Sequence, residues 1–433
     1  MSVAGRVGQL LLAGAIVALA APKFTHFFYG PVPIQLSDAL VGLAALCTLA
    51  HAATTRTIRW SWMFVGFAVY LTGACLSLIN VDSLWRGVVK IVGIMSLMAA
   101  PTVTLQIVDS ASTWRRLHTT WVCAAAFVGA LTCLGVLAFF LGAKDQASNP
   151  MLGNYGSLPP GRIPRMEGPF LNSNQYSNYL AVSLCLWGAR LPDLSARFGR
   201  ARAWLIGAPI ALALPFTLSP NLGAAALSLA IFIQVVRLRP PALRWALISG
   251  CAVTMIGFFV AAALIILPKG SEGISLGPLG VLSTIPSGRV AAALATLKTI
   301  GQHPLLGTGV GETVAHFHHE YSAQGASVHI KDFEVEAHNF YLGLWGQMGP
   351  LALIGFLTVV SAVLSSLPRK ATVAETTYLR AGFLAAICGQ LLYGGLFGGF
   401  EDSRHIWMML ALAVASSAAI PASQAGTGSR GSA

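Results

Sequence analysis

A histidine and an asparagine stand directly in front of a long apolar run. His338 and Asn339 precede Phe340 and Tyr341, and apolar residues then continue to about residue 364. This position predicts the first turn of a helix, where the exposed backbone N–H groups favour a neutral imidazole. A neutral imidazole can accept a proton from a hydroxyl group, so His338 is a candidate general base. The alternative is that both residues only cap the helix.

An arginine opens a second informative stretch. After Arg289, apolar residues recur at helical spacing until Gly301 and Pro304 end the pattern, which predicts a short amphipathic helix. A guanidinium in the first turn of such a helix can hold two phosphate oxygens at once. Arg289 is therefore a candidate ligand of a phosphate group, and the alternative is a solvated charge on a surface helix.

Arg86 and Lys90 are four residues apart at the start of another apolar run. This spacing places them on one face of a helix near the edge of the hydrocarbon, where a lipid phosphate is the natural partner. Lys90 could equally extend to ordinary lipid headgroups. Both residues are candidates for binding a phosphate on a lipid.

Two further patterns carry weaker signals. The segment from Leu305 to Gly311 contains G-x-G-x-G, but no predicted strand precedes it and no P-loop lysine follows, so we interpret it as a turn against the membrane. A group of imidazoles and a carboxylate raises the question of a metal site, at His316, His318, His319, Glu320 and His329. Their spacing matches no H-E-x-x-H type pattern, so we expect a solvated, histidine-rich loop without a bound metal.

The elements that position these residues are predicted to be membrane-spanning helices. The chain has 433 residues, of which 55% are apolar and 10% charged, and its mean hydropathy is +0.70. These values exclude a water-soluble globule. The predicted fold class is all-α, a single polytopic membrane domain over 1–433 with about 12 transmembrane helices. They lie near 5–21, 36–53, 61–79, 86–108, 119–142, 173–189, 203–219, 221–237, 243–267, 339–364, 376–398 and 404–421.

Basic residues are divided unevenly between the two sides of this arrangement. Of the 27 Lys and Arg residues, 16 lie near the termini or in loops that follow even-numbered spans. The positive-inside rule therefore places both termini and these loops in the cytoplasm. The other side has two long loops, at 143–172 and at 268–338, and the second is expected to contain short amphipathic helices. The Gly/Ser-rich segment 423–433 is predicted to be a disordered cytoplasmic tail.

Arg162 and Arg165 lie in the first of the long outer loops. Positive-inside bias selects against arginine near the outer ends of spans, so arginines that remain there are candidates for an anionic ligand. The alternative is that they pair with Glu167 or Asp145. The chemistry of this protein is accordingly expected on its outer side.

Charge and cysteine content exclude two other classes. A formal net charge of +12 would suggest nucleic acid for a soluble protein, but here the basic residues serve topology and contact with membrane lipids. No nucleic-acid partner is expected. All seven cysteines fall inside apolar stretches, which supports neither a disulfide framework nor a thiol-rich metal site.

Three pieces of the sequence share a likeness to one family. Residues 165–174 contain G-P-F-x-N-x-N, residues 289–311 are an arginine-led helix followed by H-P-L-L-G-T-G-V-G, and residues 338–342 read H-N-F-Y-L. The chain resembles the superfamily of O-antigen ligases and O-antigen polymerases, which are polytopic bacterial glycosyltransferases. The resemblance rests on these three pieces, on their order and on the distances between them in the sequence. The resemblance covers most of the chain.

The resemblance implies a reaction, a location and roles for residues. Family members transfer a glycan from undecaprenyl diphosphate to an acceptor hydroxyl on the periplasmic face of the inner membrane, without a metal or another cofactor. Carried over, His338 is the catalytic histidine, and Arg289 binds the diphosphate together with Arg162 or Arg165. The two long outer loops are then periplasmic, and the loop at 268–338 is the catalytic one.

The other candidates are expected to contact the same lipid-linked substrate, namely Arg86, Lys90 and Asn339. One departure from the family concerns a turn between two middle spans, where many relatives have Ser-Arg-Gly. This chain has Leu218 to Gly223 there, with Pro220 and no arginine. Any role of that arginine in relatives is absent or relocated in this protein.

Three functions remain open at this point. Ligases attach the finished glycan to lipid A–core, whereas polymerases join repeat units and tend to have two outer loops of comparable length. Here one long loop is about twice the other, which favours a ligase with lipid A–core as acceptor. A transporter of lipid-linked sugars would need polar residues deep in several spans. The predicted spans offer chiefly Asp38 and Lys90, both near outer ends.

Overall fold

The computed structural model describes residues 2–25, 34–157, 161–219, 221–237, 241–242, 244–250, 274–275, 281–282, 288–323, 326–335, 337–368, 374–397 and 403–419. Within these residues the chain is mostly helical, as predicted. The helices are α1 (Val3–Leu19), α2 (Leu36–Thr55), α3 (Met63–Ser77), α4 (Leu84–Ile107), α5 (Ala111–Phe140), α6 (Ser173–Phe198), α7 (Arg200–Ala213), α8 (Leu222–Val236), α9 (Gly288–Gln302), α10 (Phe340–Ser366), α11 (Ala374–Phe397) and α12 (Arg404–Val414).

Each predicted span contains helix, although the ninth, at 243–267, is described only at 244–250. In the described part of the chain, five helices are long and apolar enough to cross a membrane, at Leu36–Thr55, Met63–Asn80, Leu84–Ile107, Ala111–Phe140 and Phe340–Ser366. Two shorter apolar helices are α1 and α8. These features indicate a membrane protein. The count of twelve spans stays a prediction, and the predicted tail at 423–433 lies outside the described residues.

Helix α12 lies at the centre of the bundle. Every residue from His405 to Val414 is buried, and the helix packs against α1, α4, α6 and α10. A helix that is apolar all round is stable only when other elements surround it. Helix α12 therefore contacts α4, which carries Arg86 and Lys90, and α10, which Asn339 caps.

Small residues allow the closest approach between two helices, α3 and α10. A Cβ atom on Gly73 would lie 2.6 Å from the backbone nitrogen of Ala352, and one on Gly355 would lie 2.3 Å from that of Tyr70. Glycine at such positions lets helix backbones touch, which is the usual way in which helices pack inside a membrane. Helix α10 is thereby fixed along its length against α3.

Contacts between helix ends agree with the predicted alternation of the helices. On the predicted outer side, Arg404 at the start of α12 pairs with Asp38 at the start of α2. On the predicted inner side, Nη2 of Arg115 lies 2.9 Å from Oε1 of Glu375, joining α5 to α11. Which of these sides faces the cytoplasm stays a prediction based on the distribution of basic residues.

The loops contain strands that the all-α prediction did not include. In the first outer loop β1 (Leu152–Ser157) pairs antiparallel with β2 (Pro164–Met166). In the large loop β3 (Ile274–Ser275), β4 (Val281–Leu282), β5 (Ala315–Ala323) and β6 (Ala326–Val335) form an antiparallel sheet in the order β4-β3-β5-β6. The helix predicted after Arg289 is present as α9, whereas the strands at 315–323 and 326–335 were not predicted. Both strands contain aromatic or β-branched residues, among them Phe317, Val328 and Ile330, which favour strands.

Candidate functional site

The end of the β5–β6 ladder brings distant parts of the large loop together. Ala315 in β5 pairs with Val335 in β6, so the chain enters and leaves the sheet at one end. Glu312 stands three residues before this pair, and His338 stands three residues after it. Because paired strands lie about 5 Å apart, both residues are carried to the same end of the hairpin. We call this end the hairpin base, defined by the Ala315–Val335 pair.

His338 and Asn339 have different roles at the start of α10. Asn339 is the N-cap: its Oδ1 accepts a hydrogen bond from the backbone N–H of Leu342 at 3.0 Å, and its Nδ2 donates to the carbonyl oxygen of Gly395 at 2.6 Å. His338 is exposed and has a φ of 49°. A left-handed backbone costs a residue other than glycine about 1–2 kcal/mol. The capping interpretation is therefore right for Asn339, and the strained backbone marks His338 as a position to test for function.

Helix α9 packs against the hairpin base, as the predicted amphipathic pattern requires. Ala292 and Ala295 form a buried cluster with Ala315, and Oγ1 of Thr299 donates to the carbonyl oxygen of Val314 at 2.9 Å. Arg289 lies in the first turn of α9, three residues before Ala292. The first turn of α9, which contains Arg289, directly precedes the part of the helix that meets the hairpin base.

The glycine-rich segment after α9 forms a turn, as predicted, and this turn is bonded to α10. Gly307, Gly309 and Gly311 all have positive φ values. The backbone N–H of Thr308 donates to the carbonyl oxygen of Gly346 at 2.8 Å, and that of Gly309 donates to Gln347 at 3.0 Å. Because carbonyl groups of α10 occupy these two donors, the turn does not present them to a phosphate.

The same turn rests on the first turns of α4, where two predicted cations lie. A Cβ atom on Gly311 would lie 3.5 Å from the carbonyl oxygen of Arg86 and 3.5 Å from Cβ of Lys90. Nη1 of Arg86 lies 3.6 Å from Oε2 of Glu312. Arg86 and Lys90 are therefore held beside the segment that leads to the hairpin base.

Arg162 and Arg165 belong to a different hairpin. Arg165 is half-buried in β2, and Arg162 is exposed before it. Strand β2 packs on α5 and on the turn at Pro215–Thr217. Arg86 and Lys90 thus lie beside the segment that leads from α9 to the hairpin base, whereas Arg162 and Arg165 belong to the other long loop.

Asp145, one predicted partner of Arg162 and Arg165, accepts hydrogen bonds within its own turn. Oδ1 of Asp145 accepts a hydrogen bond of 2.8 Å from the backbone N–H of Ser148. The hydrogen bonds from Ser148 lower the pKa of the Asp145 carboxyl group. This carboxylate therefore stabilises its own turn, which weakens the interpretation that it pairs with Arg162 or Arg165. The second predicted partner, Glu167, is buried directly after β2.

The asparagines of the G-P-F-x-N-x-N segment have local structural roles. Asn172 caps α6 through a hydrogen bond of 2.8 Å from the backbone N–H of Gln175. Asn174 binds the turn between α7 and α8: Oγ of Ser219 donates to its Oδ1 at 2.8 Å, and Nδ2 of Asn221 donates to its carbonyl oxygen at 2.6 Å. In this chain the turn is therefore tied to the start of α6.

Sequence reasoning missed two charged residues, Glu312 and Arg404, on the predicted outer side. Glu312 follows the glycine run directly, and its carboxylate faces the guanidinium of Arg86. Nε of Arg404 donates to both oxygens of Asp38, at 2.7 and 2.9 Å. Arg404 stands at a predicted outer span end, so the argument that singled out Arg165 could also have found it.

The candidate metal ligands of the large loop lie in strands β5 and β6. His316 pairs with Glu334 across the ladder, and His318 pairs with Asp332. These pairings are backbone positions in β5 and β6, whose side chains lie outside the described part of the structure. The expectation that no metal binds there stays a prediction.

Part of the chain matches a known protein family. Residues 201–357 match the model of a family described as O-antigen ligase. No curated protein matches the chain. The matched range runs from α7 into α10 and includes Arg289, the glycine turn, the hairpin base and His338. Over this range the resemblance to the superfamily of O-antigen ligases and polymerases is confirmed.

Proposed function

We propose that this chain, which carries the O-antigen ligase match at 201–357, is a ligase that moves a glycan from undecaprenyl diphosphate to lipid A–core. The family supports a membrane glycosyl-transfer activity of the ligase or polymerase type. The single observation that carries the proposal is that the matched range contains the hairpin base, where α9 and the start of α10 meet. We infer a location in the bacterial inner membrane, with this site on the periplasmic face.

The proposed reaction is a direct inverting displacement. His338 accepts the proton of an acceptor hydroxyl group, and the hydroxyl oxygen forms a bond to the anomeric carbon of the donor. The bond between that carbon and the diphosphate oxygen breaks, and its electron pair leaves with undecaprenyl diphosphate. The donor is already activated by its diphosphate, so the proposal includes no metal and no other cofactor.

Arginine and lysine residues stabilise the negative charge that grows on the departing diphosphate. Arg289 lies in the first turn of α9, and Arg86 and Lys90 lie beside Gly311 in the glycine turn. Arg162 and Arg165 are proposed to contact the donor from the first outer loop. Asn339 acts on the substrate only indirectly, because its side chain is engaged with Leu342 and Gly395.

The proposed general base combines exposure with a defined backbone. His338 is exposed, so a substrate hydroxyl can reach it. The next residue, Asn339, is bonded to both α10 and α11, which fixes the direction in which the chain enters the helix. A general base needs this combination, because it must meet the proton at hydrogen-bond distance in a repeatable geometry.

A polymerase is the second candidate, because the matched family supports both activities. The two differ only in the acceptor, which is lipid A–core for a ligase and another lipid-linked glycan for a polymerase. A transporter of lipid-linked sugars would also have many spans, but it offers no role for an exposed histidine at a helix start.

A transfer assay with purified protein separates these candidates. The reaction contains a lipid-linked glycan and rough lipopolysaccharide, and the products are resolved by size and by the lipid that carries them. We expect glycan on the lipopolysaccharide. Lengthened chains on the carrier lipid would identify a polymerase, and the absence of both products would contradict a transferase.

A further inference from the structure

Glu312 is a buried carboxylate on the predicted outer side of the bundle. Its side chain is 10% exposed, whereas that of Arg86, which lies 3.6 Å away, is 63% exposed. Among the described residues, none donates a hydrogen bond to its second oxygen, Oε1, which is shielded from solvent. A carboxylate removed from water is costly unless a cation faces it. Arg86 is therefore the group that makes this position of Glu312 tolerable.

The backbone that carries Glu312 is fixed at several points. Its N–H donates to the carbonyl oxygen of Gly309 at 3.2 Å, and the N–H of Val310 donates to Oγ of Ser77 at 3.1 Å. Nδ2 of Asn80 donates to the carbonyl oxygen of Gly307 at 2.8 Å. These bonds join the turn to the end of α3, directly before α4 begins.

The two residues of this ion pair therefore differ in exposure and in freedom of movement. Glu312 is buried on a fixed turn, and Arg86 is a long, mostly exposed side chain at the start of a helix. A free arginine side chain samples many rotamers and loses that freedom when it binds an anion. A buried carboxylate that restrains the guanidinium in advance reduces this loss.

We propose that Glu312 is a positioning residue for the diphosphate of the donor. It holds the guanidinium of Arg86 near Lys90, so that both cations face one anionic group beside the segment that leads to the hairpin base and His338. Glu312 itself does not touch the substrate. The inference rests on the proposed function in one respect, namely that the donor is a lipid diphosphate.

A positioning role of Glu312 and a purely electrostatic role predict opposite effects of Glu312→Gln on phosphate binding. Glu312→Gln removes a negative charge that lies beside the guanidinium of Arg86 while it keeps the size of the side chain. If only the local charge mattered, the substitution would strengthen the binding of a phosphate group. If Glu312 positions Arg86, the same substitution weakens that binding.

The experiment measures binding of undecaprenyl diphosphate to the purified full-length protein in lipid nanodiscs. We expect Glu312→Gln to weaken binding by roughly tenfold, the size of a lost charge-assisted interaction. In an Arg86→Gln background, the same substitution should have little further effect, because the two residues act through one contact. Asp82→Asn is the matched control: Asp82 is exposed just before α4, and its change should leave binding unchanged or slightly tighter.

Glu312→Asp provides a second and independent variant. It keeps the charge but withdraws it by one methylene group, so we expect weaker binding and a higher KM for the donor, with the KM for the acceptor unchanged. This variant decides the question if Glu312→Gln does not fold. Binding by folded Glu312→Gln that equals or exceeds that of the wild type would overturn the inference, as would equal losses in both backgrounds.

The two levels of the proposal fail in different ways. No binding of undecaprenyl diphosphate by the wild-type protein would contradict the proposed donor, and the inference would fall with it. Wild-type binding that neither Glu312 variant changes would contradict only the role of Glu312.

Discussion

Nδ2 of Asn339 donates a hydrogen bond of 2.6 Å to the carbonyl oxygen of Gly395, which joins the start of α10 to the end of α11. The residue immediately before Asn339 is the exposed His338. Asn339 therefore supports the structure, whereas the adjacent His338 is proposed to carry the chemistry. Substitutions at the two positions can distinguish these roles.

Asn339→Ala should lower stability more than catalysis. The substitution removes both the helix cap and the bond to Gly395, each worth about 1 kcal/mol. We expect a lower midpoint of thermal unfolding in detergent, with activity per folded molecule close to that of the wild type. A folded and stable Asn339→Ala protein with little activity would instead place Asn339 in the substrate site.

Gly349→Ala should disturb the contact between α10 and the glycine turn. Gly349 has a φ of 75°, and a Cβ atom there would lie 2.0 Å from the carbonyl oxygen of Leu305. We expect poor folding or a large loss of activity. Gly343→Ala is the control, since its Cβ would meet only Cβ of Ala337 at 3.7 Å. If both substitutions behaved alike in size-exclusion chromatography and activity assays, the close approach at Gly349 would not matter.

Transfer should not require a divalent metal, because the diphosphate of the donor already makes a good leaving group. We expect full activity of the purified protein in excess EDTA. Lost activity that one added metal restores would contradict this and would direct attention to His316, His318 and His319.

Arg289→Ala and Arg165→Ala should impair use of the donor more than use of the acceptor. Each removes charge-assisted hydrogen bonds to phosphate, worth roughly 1.5–3 kcal/mol. Lysine at either position should restore only part of the activity, because it lacks the planar, bidentate geometry of arginine. Steady-state kinetics with each substrate varied in turn measures this. An arginine whose loss leaves both the donor KM and the rate unchanged has a structural role.

The sequence predicted those features that depend on neighbours along the chain. The extent of α9 follows from the apolar spacing between Arg289 and Gly301, and the N-cap follows from Asn339 standing before an apolar run. The glycine turn was also predicted, because its context matched no phosphate-binding motif. Each of these interpretations needed only a few adjacent residues.

Features that depend on distant partners were missed. Glu312 faces Arg86, and Asn174 binds Ser219 and Asn221, but no local pattern joins such residues. The strands at 315–323 and 326–335 were also missed, because their histidines and acidic residues were interpreted only as candidate metal ligands. The positions of these contacts follow from the packing of the helices, which the sequence alone does not give.

The most direct test of the proposed mechanism is the transfer rate of purified His338→Ala protein. General-base catalysis is typically worth about 10²–10⁴-fold, so we expect the rate to fall by that factor. The variant should still assemble in the membrane and bind undecaprenyl diphosphate, because the cationic residues remain. A His338→Ala protein that transfers glycan to the acceptor near the wild-type rate would contradict the assignment of His338 as the general base.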